Sequence, residues 1–467
     1  MNGRKQKTEK DTCQREDRAA LKDNVEGQTF LWMTEKGDTS TTPQEPELLE
    51  FILSPKNLNE AYKKVMRNKG SGGIDRMQTD EIVSYLREHK DELLTQLLEG
   101  KYKPQPVLRV EIPKENGKKR SLGIPVVVDR VVQQAITQQL TPIYERQFSP
   151  SSYGFRPGRS AHQAVMQCLA NANEGYCYVV DMDLEKFFDT VNQSKLIEVL
   201  SRTIKDGRVV SLIHKYLRAG VMTHGHYEET TTGVPQGGNL SPILSNIMLN
   251  EMDKELEKRE HRFVRYADDC MIFCRSQRAA ERVLAGITKF IESKLFLHVN
   301  REKTVVAHIT EVQFLGYGFY LSKDQFRPRL HNKSAEKMKA KIRLLTSRSN
   351  GWGNERRKLE LKQFIIGWLN YFRLADMRKL LEKTDEWYRR RLRSLIWKQW
   401  KRIKTKHRNL MKLGIPEQKA YAYANTRKSY WRTACSPILG RSITNERLKQ
   451  AGFTFFSDYY TQVHCVN

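Results

Sequence analysis

The chain has 467 residues, 39% of them hydrophobic, which is enough apolar material for two or three domains and excludes a chain disordered as a whole. Its 81 Lys and Arg stand against 54 Asp and Glu, a formal net charge of +27. That excess points to a polyanionic partner, nucleic acid first and an anionic membrane surface second. No stretch approaches the run of about 18 uncharged apolar residues that a membrane span needs, and "MNGRKQKTEK" lacks an apolar signal core, so an intracellular chain with no membrane partner is expected. Seven scattered cysteines (13, 168, 177, 270, 274, 435, 465) include no CxxC pair, which argues against a zinc module or a disulfide framework. Cys270 and Cys274 fit small core residues better than ligands.

Residues 1–45 are polar, end in "TSTTPQEPE" and offer too few apolar positions to pack, so they read as a tail. "NLNEAYKKVMRN" (57–68) has helical periodicity, "GSGGID" (70–75) breaks it, and a second helix is expected over 79–98. The block from Val107 to Ile136 reads as two strands around a turn at Asn116-Gly117, followed by a helix from Val127. "SYGFRPGRSAHQAV" (152–165) gives a loop and a helix, and "GYCYVVDMDL" (175–184) a strand rich in aromatic and β-branched residues. Strands and helices intermingle without a regular βαβ repeat, which favours an α+β fold.

From Lys333 the strand signals nearly vanish. "WYRRRLRSLIWKQWKRIKTKHR" (387–408) carries ten Lys and Arg and no acid. Tyr388, Leu392, Leu395, Ile396 and Ile403 follow helical spacing, which predicts one helix with a packed face and an electropositive outer surface. Trp397 and Trp400 lie near the packed face and read as core rather than as base-stacking platforms.

Two acidic clusters carry the chemistry. In "VVDMDLEKFFD" (179–189), Asp181 and Asp183 are two apart at a strand end and point the same way. In "VRYADDC" (264–270), Asp268 and Asp269 fall at the tip of a strand, turn, strand pattern, where adjacent carboxylates repel and apolar flanks hinder their solvation. If folding joins the clusters, three or four oxygen ligands converge, and Mg²⁺ is the natural counter-ion. Two such ions activate a 3′-hydroxyl and stabilise leaving pyrophosphate. "GVPQGGNLSP" (233–242) places glycines before Ser241-Pro242, a cap pair opening an apolar helix, where a nucleotide can lie along Gln236 and Gly237. Lys114, Lys118, Lys119 and Arg120 ring a hairpin tip suited to a triphosphate, or to a solvated turn.

These blocks, with "SYGFRPGRSAHQA", "NREKT" (300–304) and "FLGYGFY" (314–320), stand in the order found in reverse transcriptases encoded by bacterial group II introns, and the chain resembles that family from about Asn57 onward. The resemblance implies a right-hand polymerase: an N-terminal extension over 46–105, fingers and palm with an antiparallel sheet over 106–326, an α-helical thumb or maturase domain over 327–408 containing "IIGWLNYF", and a DNA-binding region over 409–467 containing "TRKSYWR". It implies Asp183, Asp268 and Asp269 as catalytic carboxylates. Asp183, Leu184 and Asp268 are the implied metal positions for two Mg²⁺ ions, with Mn²⁺ as a substitute, while Asp181 departs from the metal position and reads as structural. Lys114, Arg120, Phe188, Gln236, Gly237 and Lys303 are the implied nucleotide contacts, with Phe188 the residue that excludes a 2′-hydroxyl. On the basic helix, Arg389, Arg390, Arg391, Arg393, Lys398, Lys401 and Arg402 are the candidate nucleic-acid contacts.

The implied partners are group II intron RNA, a DNA target with primer and template, and deoxynucleoside triphosphates, in a cytoplasmic, nucleoid-associated setting. Family members with an HNH endonuclease carry paired CxxC motifs that do not occur here, which implies priming from a nascent strand or an existing nick. The alternative readings are a splicing-only RNA-binding maturase and a polymerase of the same lineage recruited to phage defence.

Overall fold

The computed structural model describes residues 47–113, 117 and 119–464. The tail expected over residues 1–45, together with Lys114 and Lys118, lies outside the described residues. In chain order the strands are β1 Val107–Pro113, β2 Lys119–Ile124, β3 Tyr178–Met182, β4 Val221–Thr223, β5 His226–Glu228, β6 Arg262–Tyr266, β7 Asp269–Cys274, β8 Val305–His308, β9 Gln313–Phe314, β10 Tyr317–Ser322 and β11 Gln325–Leu330. The residues group into two compact units built from interleaved stretches, one holding the described residues up to 148 with 186–251 and 295–297, the other 149–185, 252–294 and the chain from 298.

The first unit contains a sheet of order β2-β1-β4-β5. β1 and β2 form the expected hairpin, with Leu108 opposite Ile124 and Pro113 opposite Lys119, and Gly117 takes the positive φ of 76° that its turn requires. The helices Pro55–Asn68 and Ile82–Leu98 appear where the periodicity placed them, the second starting three residues later than expected. Helix Val127–Glu145 buries Val127, Val132, Ala135, Ile136 and Leu140 completely or nearly so. Asn57 ties its neighbour to this helix by donating to the Ala135 carbonyl at 3.0 Å.

In the second unit the sheet order is β6-β7-β3-β8, and every pairing is antiparallel. β3 lies between β7 and β8, with Val179, Val180 and Met182 buried and Tyr178 and Asp181 half-buried. Helix Ala161–Asn173 begins with a full capping box, Ser160 and Gln163 each accepting from the other's backbone. A second sheet, β11-β10-β9, and the helices from Asn332 onward share one apolar core that includes Phe314, Tyr317, Phe319, Leu369, Tyr388 and Trp397.

The basic stretch departs from its expected form. Helix Arg378–Gln399 stops, and a separate helix Ile403–Lys412 follows. The break folds the second helix back, so that Lys406 Nζ sits 4.7 Å from the centre of the Trp397 ring and Leu410 becomes fully buried. Ile403, expected on the packed face, is 50% exposed instead. Trp397 is 1% exposed and packs edge-on against Trp400 at 5.8 Å, as core residues do. Cys270 and Cys274 are buried free thiols. No helix among the described residues is long and apolar enough to cross a membrane.

Candidate active site

Tyr266 pairs with Asp269 across the β6–β7 hairpin, which leaves Ala267 and Asp268 as its two turn residues. Ala267 takes φ of 58°, a left-handed value uncommon for a residue with a Cβ. On the other side of β7, Cys270 pairs with Met182 of β3. Antiparallel register continued by one residue sets Asp183 opposite Asp269, so the pairing joins the two acidic clusters of the sequence.

Asp183 is held from behind by the turn that contains "NREKT". Its backbone N–H donates to Thr304 Oγ1 at 3.2 Å, and its carbonyl accepts from the Asn300 N–H at 2.9 Å. One carboxylate oxygen, Oδ2, accepts from both Asn300 Nδ2 and Lys303 Nζ, each at 2.9 Å. Burial, with Asp268 and Asp183 adding repulsion, pushes the Asp269 carboxyl up to about 6, and Lys303 partly offsets this. Asp181 rises to about 7, first from burial and then from Asp269 and Asp183. Leu184 forms an isolated antiparallel bridge with Val299, which fixes its backbone next to Asp183.

Hard carboxylate oxygens with one backbone carbonyl suit Mg²⁺ or Mn²⁺. The ligand oxygens of Asp183, Asp268 and Asp269 are not gathered within 4.8 Å of one another, whereas those of Glu47, Glu50 and Asp206 are. That tighter acidic group is already ion-paired: Arg208 contacts all three at 2.7, 2.8 and 3.2 Å. In the open group Lys303 Nζ supplies a counter-charge to Asp183.

The first unit carries the candidate nucleotide residues other than Lys303. Arg120 Nε donates to Gln236 Oε1 at 2.9 Å, and the Gly123 N–H donates to the Gln236 carbonyl at 2.6 Å, which pins the glycine-rich loop to β2. Gly237 is obligatory there: its φ is 109°, and an added Cβ would lie 2.5 Å from the Gly123 carbonyl oxygen. Phe188 is half-buried, packs edge-on against Phe187, and lines a cavity of about 320 Å³ together with Gly123, Gly233 and Gln236. Lys114 lies outside the described residues.

The basic residues divide by environment. Arg390, Lys401 and Arg402 are exposed. Arg391 donates to Thr346 Oγ1 and the Arg343 carbonyl, Arg393 to the Ile443 carbonyl and Asn445 Oδ1, and Lys398 to the Arg348 carbonyl. Arg389 lies over the Phe455 ring at 4.9 Å.

Residues 112–319 match the reverse transcriptase (RNA-dependent DNA polymerase) family, and residues 335–414 the group II intron maturase-specific domain. Protein YkfC of Escherichia coli (strain K12) is 34% identical over 311 residues, covering 58% of this chain and 82% of its own. The chain belongs to the group II intron-encoded reverse transcriptases. LtrA, a group II intron-encoded protein of Lactococcus lactis subsp. cremoris, is 30% identical over 339 residues, covering 58% of this chain and 56% of its own, so this reverse transcriptase spans about half of LtrA. A putative COX1/OXI3 intron 2 protein of Saccharomyces cerevisiae is 31% identical over 359 residues, 63% of this chain and 41% of its own. A polymerase domain of this family works with divalent cations, and its maturase-specific domain binds intron RNA.

Sequence reasoning missed Asn300, which shares Asp183 Oδ2 with Lys303, and the buried pair Arg265 and Asp253 behind the hairpin turn. Asn300 opens the quoted "NREKT" and was visible as a turn residue. Asp253, inside an apolar helix, carried a signal only as a charge in a place where charges are rarely buried.

Proposed function

We propose that this reverse transcriptase copies group II intron RNA into DNA and, through its maturase region, binds the same RNA to assist splicing. The observation that carries the reading is the pairing of Met182 with Cys270, which brings Asp183 and Asp269 into electrostatic reach, with Asp268 on the adjoining turn. In this reading Asp183, Asp268 and the Leu184 carbonyl hold two Mg²⁺ ions, or Mn²⁺ in their place, and Asp269 stands one step behind. Bound there, the ions supply charge neutralisation for a 3′-hydroxyl attack and for the departing pyrophosphate.

The chain's own residues position and discriminate. Arg120, with Lys114, holds the triphosphate, while Gln236 and Gly237 carry the nucleotide along the glycine-rich loop. Phe188 sets the sugar it accepts, and Lys303, which donates to Asp183, would be placed to meet the pyrophosphate. The region 46–105 serves as the N-terminal extension, 106–326 as fingers and palm, 327–408 as thumb and maturase, and 409–467 as the DNA-binding region. Deoxynucleoside triphosphates, intron RNA, and a DNA target with its primer are the partners, beside the nucleoid. Primer extension on an RNA template tests this: Asp268→Ala abolishes extension and leaves RNA binding intact, since a metal ligand is not a phosphate contact. Retained extension would overturn the assignment.

A further inference from the structure

Behind the hairpin turn, Arg265 is fully buried and faces an equally buried Asp253. Its Nε and Nη2 donate to the two carboxylate oxygens of Asp253, at 2.8 and 2.5 Å. The remaining arm is aimed at the turn: Nη1 donates to the Ala267 carbonyl at 2.9 Å. Ala267 immediately precedes Asp268 and carries the left-handed φ.

The backbone of Arg265 is fixed on both sides. β7 pairs with it through Cys270, and on the opposite edge its N–H donates to the Ser151 carbonyl at 2.9 Å while its carbonyl accepts from the Tyr153 N–H at 2.8 Å. That outer segment is stiffened in turn by Arg156, whose guanidinium donates to the Ser149 and Ser152 carbonyls. Gly154 then lies flush against the turn, where an added Cβ would stand 2.3 Å from Ala267 N.

A buried ion pair of this kind rarely improves stability over a well-packed apolar pair of similar volume. What an apolar pair lacks is a directed third hydrogen bond, and here that bond holds the peptide between Ala267 and Asp268. We infer that Arg265, oriented by Asp253, is a positioning residue for the polymerase reaction, fixing the turn so that the Asp268 carboxylate is presented in one geometry. The inference rests on the reading of Asp268 given above.

The test uses the full chain with Arg265→Lys, Arg265→Met and Gly154→Ala beside Asp268→Ala. Lysine keeps the charge facing Asp253 but cannot hold both carboxylate oxygens and the carbonyl. Gly154→Ala changes no charge and pushes the turn from the other side, so it remains informative where Arg265→Met fails to fold. Steady-state extension is measured against Mg²⁺ and nucleotide concentration, together with template-primer binding and thermal unfolding. In Gly154→Ala and Arg265→Lys, kcat falls by about a hundredfold, as expected for a misplaced reacting group. The half-saturating Mg²⁺ concentration rises, while nucleotide KM and template-primer binding stay unchanged.

Folded Arg265→Lys and Gly154→Ala proteins with unaltered kcat and Mg²⁺ dependence, whatever their melting temperature, would overturn the inference and leave Arg265 a purely structural residue. An active Asp268→Ala would instead overturn the underlying site assignment, so the two failures are distinguishable.

Discussion

Lys303 Nζ lies 2.9 Å from Asp183 Oδ2, and the two side chains are 66% and 33% exposed. In the proposed reading a cation at Asp183 displaces this ammonium and is repelled by it on approach. Lys303→Met therefore lowers the half-saturating Mg²⁺ concentration by roughly two- to fivefold, the effect of one screened unit charge at this range. The same variant raises the KM for nucleotide if Lys303 meets the pyrophosphate. Magnesium titrations of primer extension at saturating and limiting nucleotide separate the two effects.

Phe188 packs on Phe187 and walls the cavity beside Gln236. Truncation to Phe188→Ala opens space for a 2′-hydroxyl. Incorporation of ribonucleotides relative to deoxynucleotides then rises by on the order of 10- to 100-fold, the range that steric pockets discriminate over. Unchanged sugar selectivity in single-nucleotide incorporation would remove Phe188 from that role.

On helix Arg378–Gln399 neighbouring arginines have different jobs. Arg390 is exposed, whereas Arg393 is tied to the Ile443 carbonyl and Asn445 Oδ1. Arg390→Ala weakens RNA binding and reduces the slope of log affinity against log salt by about 1, leaving the melting temperature alone. Arg393→Ala destabilises the fold by about 1–3 kcal/mol through two lost hydrogen bonds from a charged donor, and changes the salt slope less. Filter binding across a salt series and thermal melts report the two readouts.

Asp129 is buried and accepts from the Tyr102 hydroxyl at 2.7 Å and the Gln105 N–H at 3.0 Å. Burial dominates and raises its carboxyl from the ordinary 3.8 to about 6. The folded state thus holds a proton that the unfolded chain has released, and the associated stability is fully present below pH 3.8 and lost as pH rises through 6. Asp129→Asn removes that decline. Its melting temperature relative to the parent rises between pH 4 and 7, and a parallel pair of curves would contradict the assignment.

Much of the site is legible in the sequence because the carboxylates sit in short local patterns. Alternation and the paired turn residues place Asp268 on a hairpin, and a glycine-rich loop with its helix start places Gln236 and Gly237. The joining of Asp183 to Asp269 is not legible from spacing alone, since it depends on β3 pairing with a strand encoded much later. The helix break after Gln399 is hidden for another reason. No Gly or Pro marks it, and the gain that drives it, Lys406 reaching Trp397 and Leu410 entering the core, exists only in the folded chain. Arg265 likewise looks like one more basic residue until its exposure falls to zero.

The central place of β3 also dictates an order of events during synthesis. Both of its partners, β7 and β8, are translated after the long stretch 186–251 that belongs to the other unit. When Val179, Val180 and Met182 leave the ribosome they form an apolar strand with two open edges, both of whose pairing strands are still to be made. Such a strand is a pairing hazard for neighbouring nascent chains until β8 emerges. Ribosomes that stall before Val305 therefore release an aggregation-prone fragment, and Asp183 and Asp269 take their places only near the end of translation of the polymerase region.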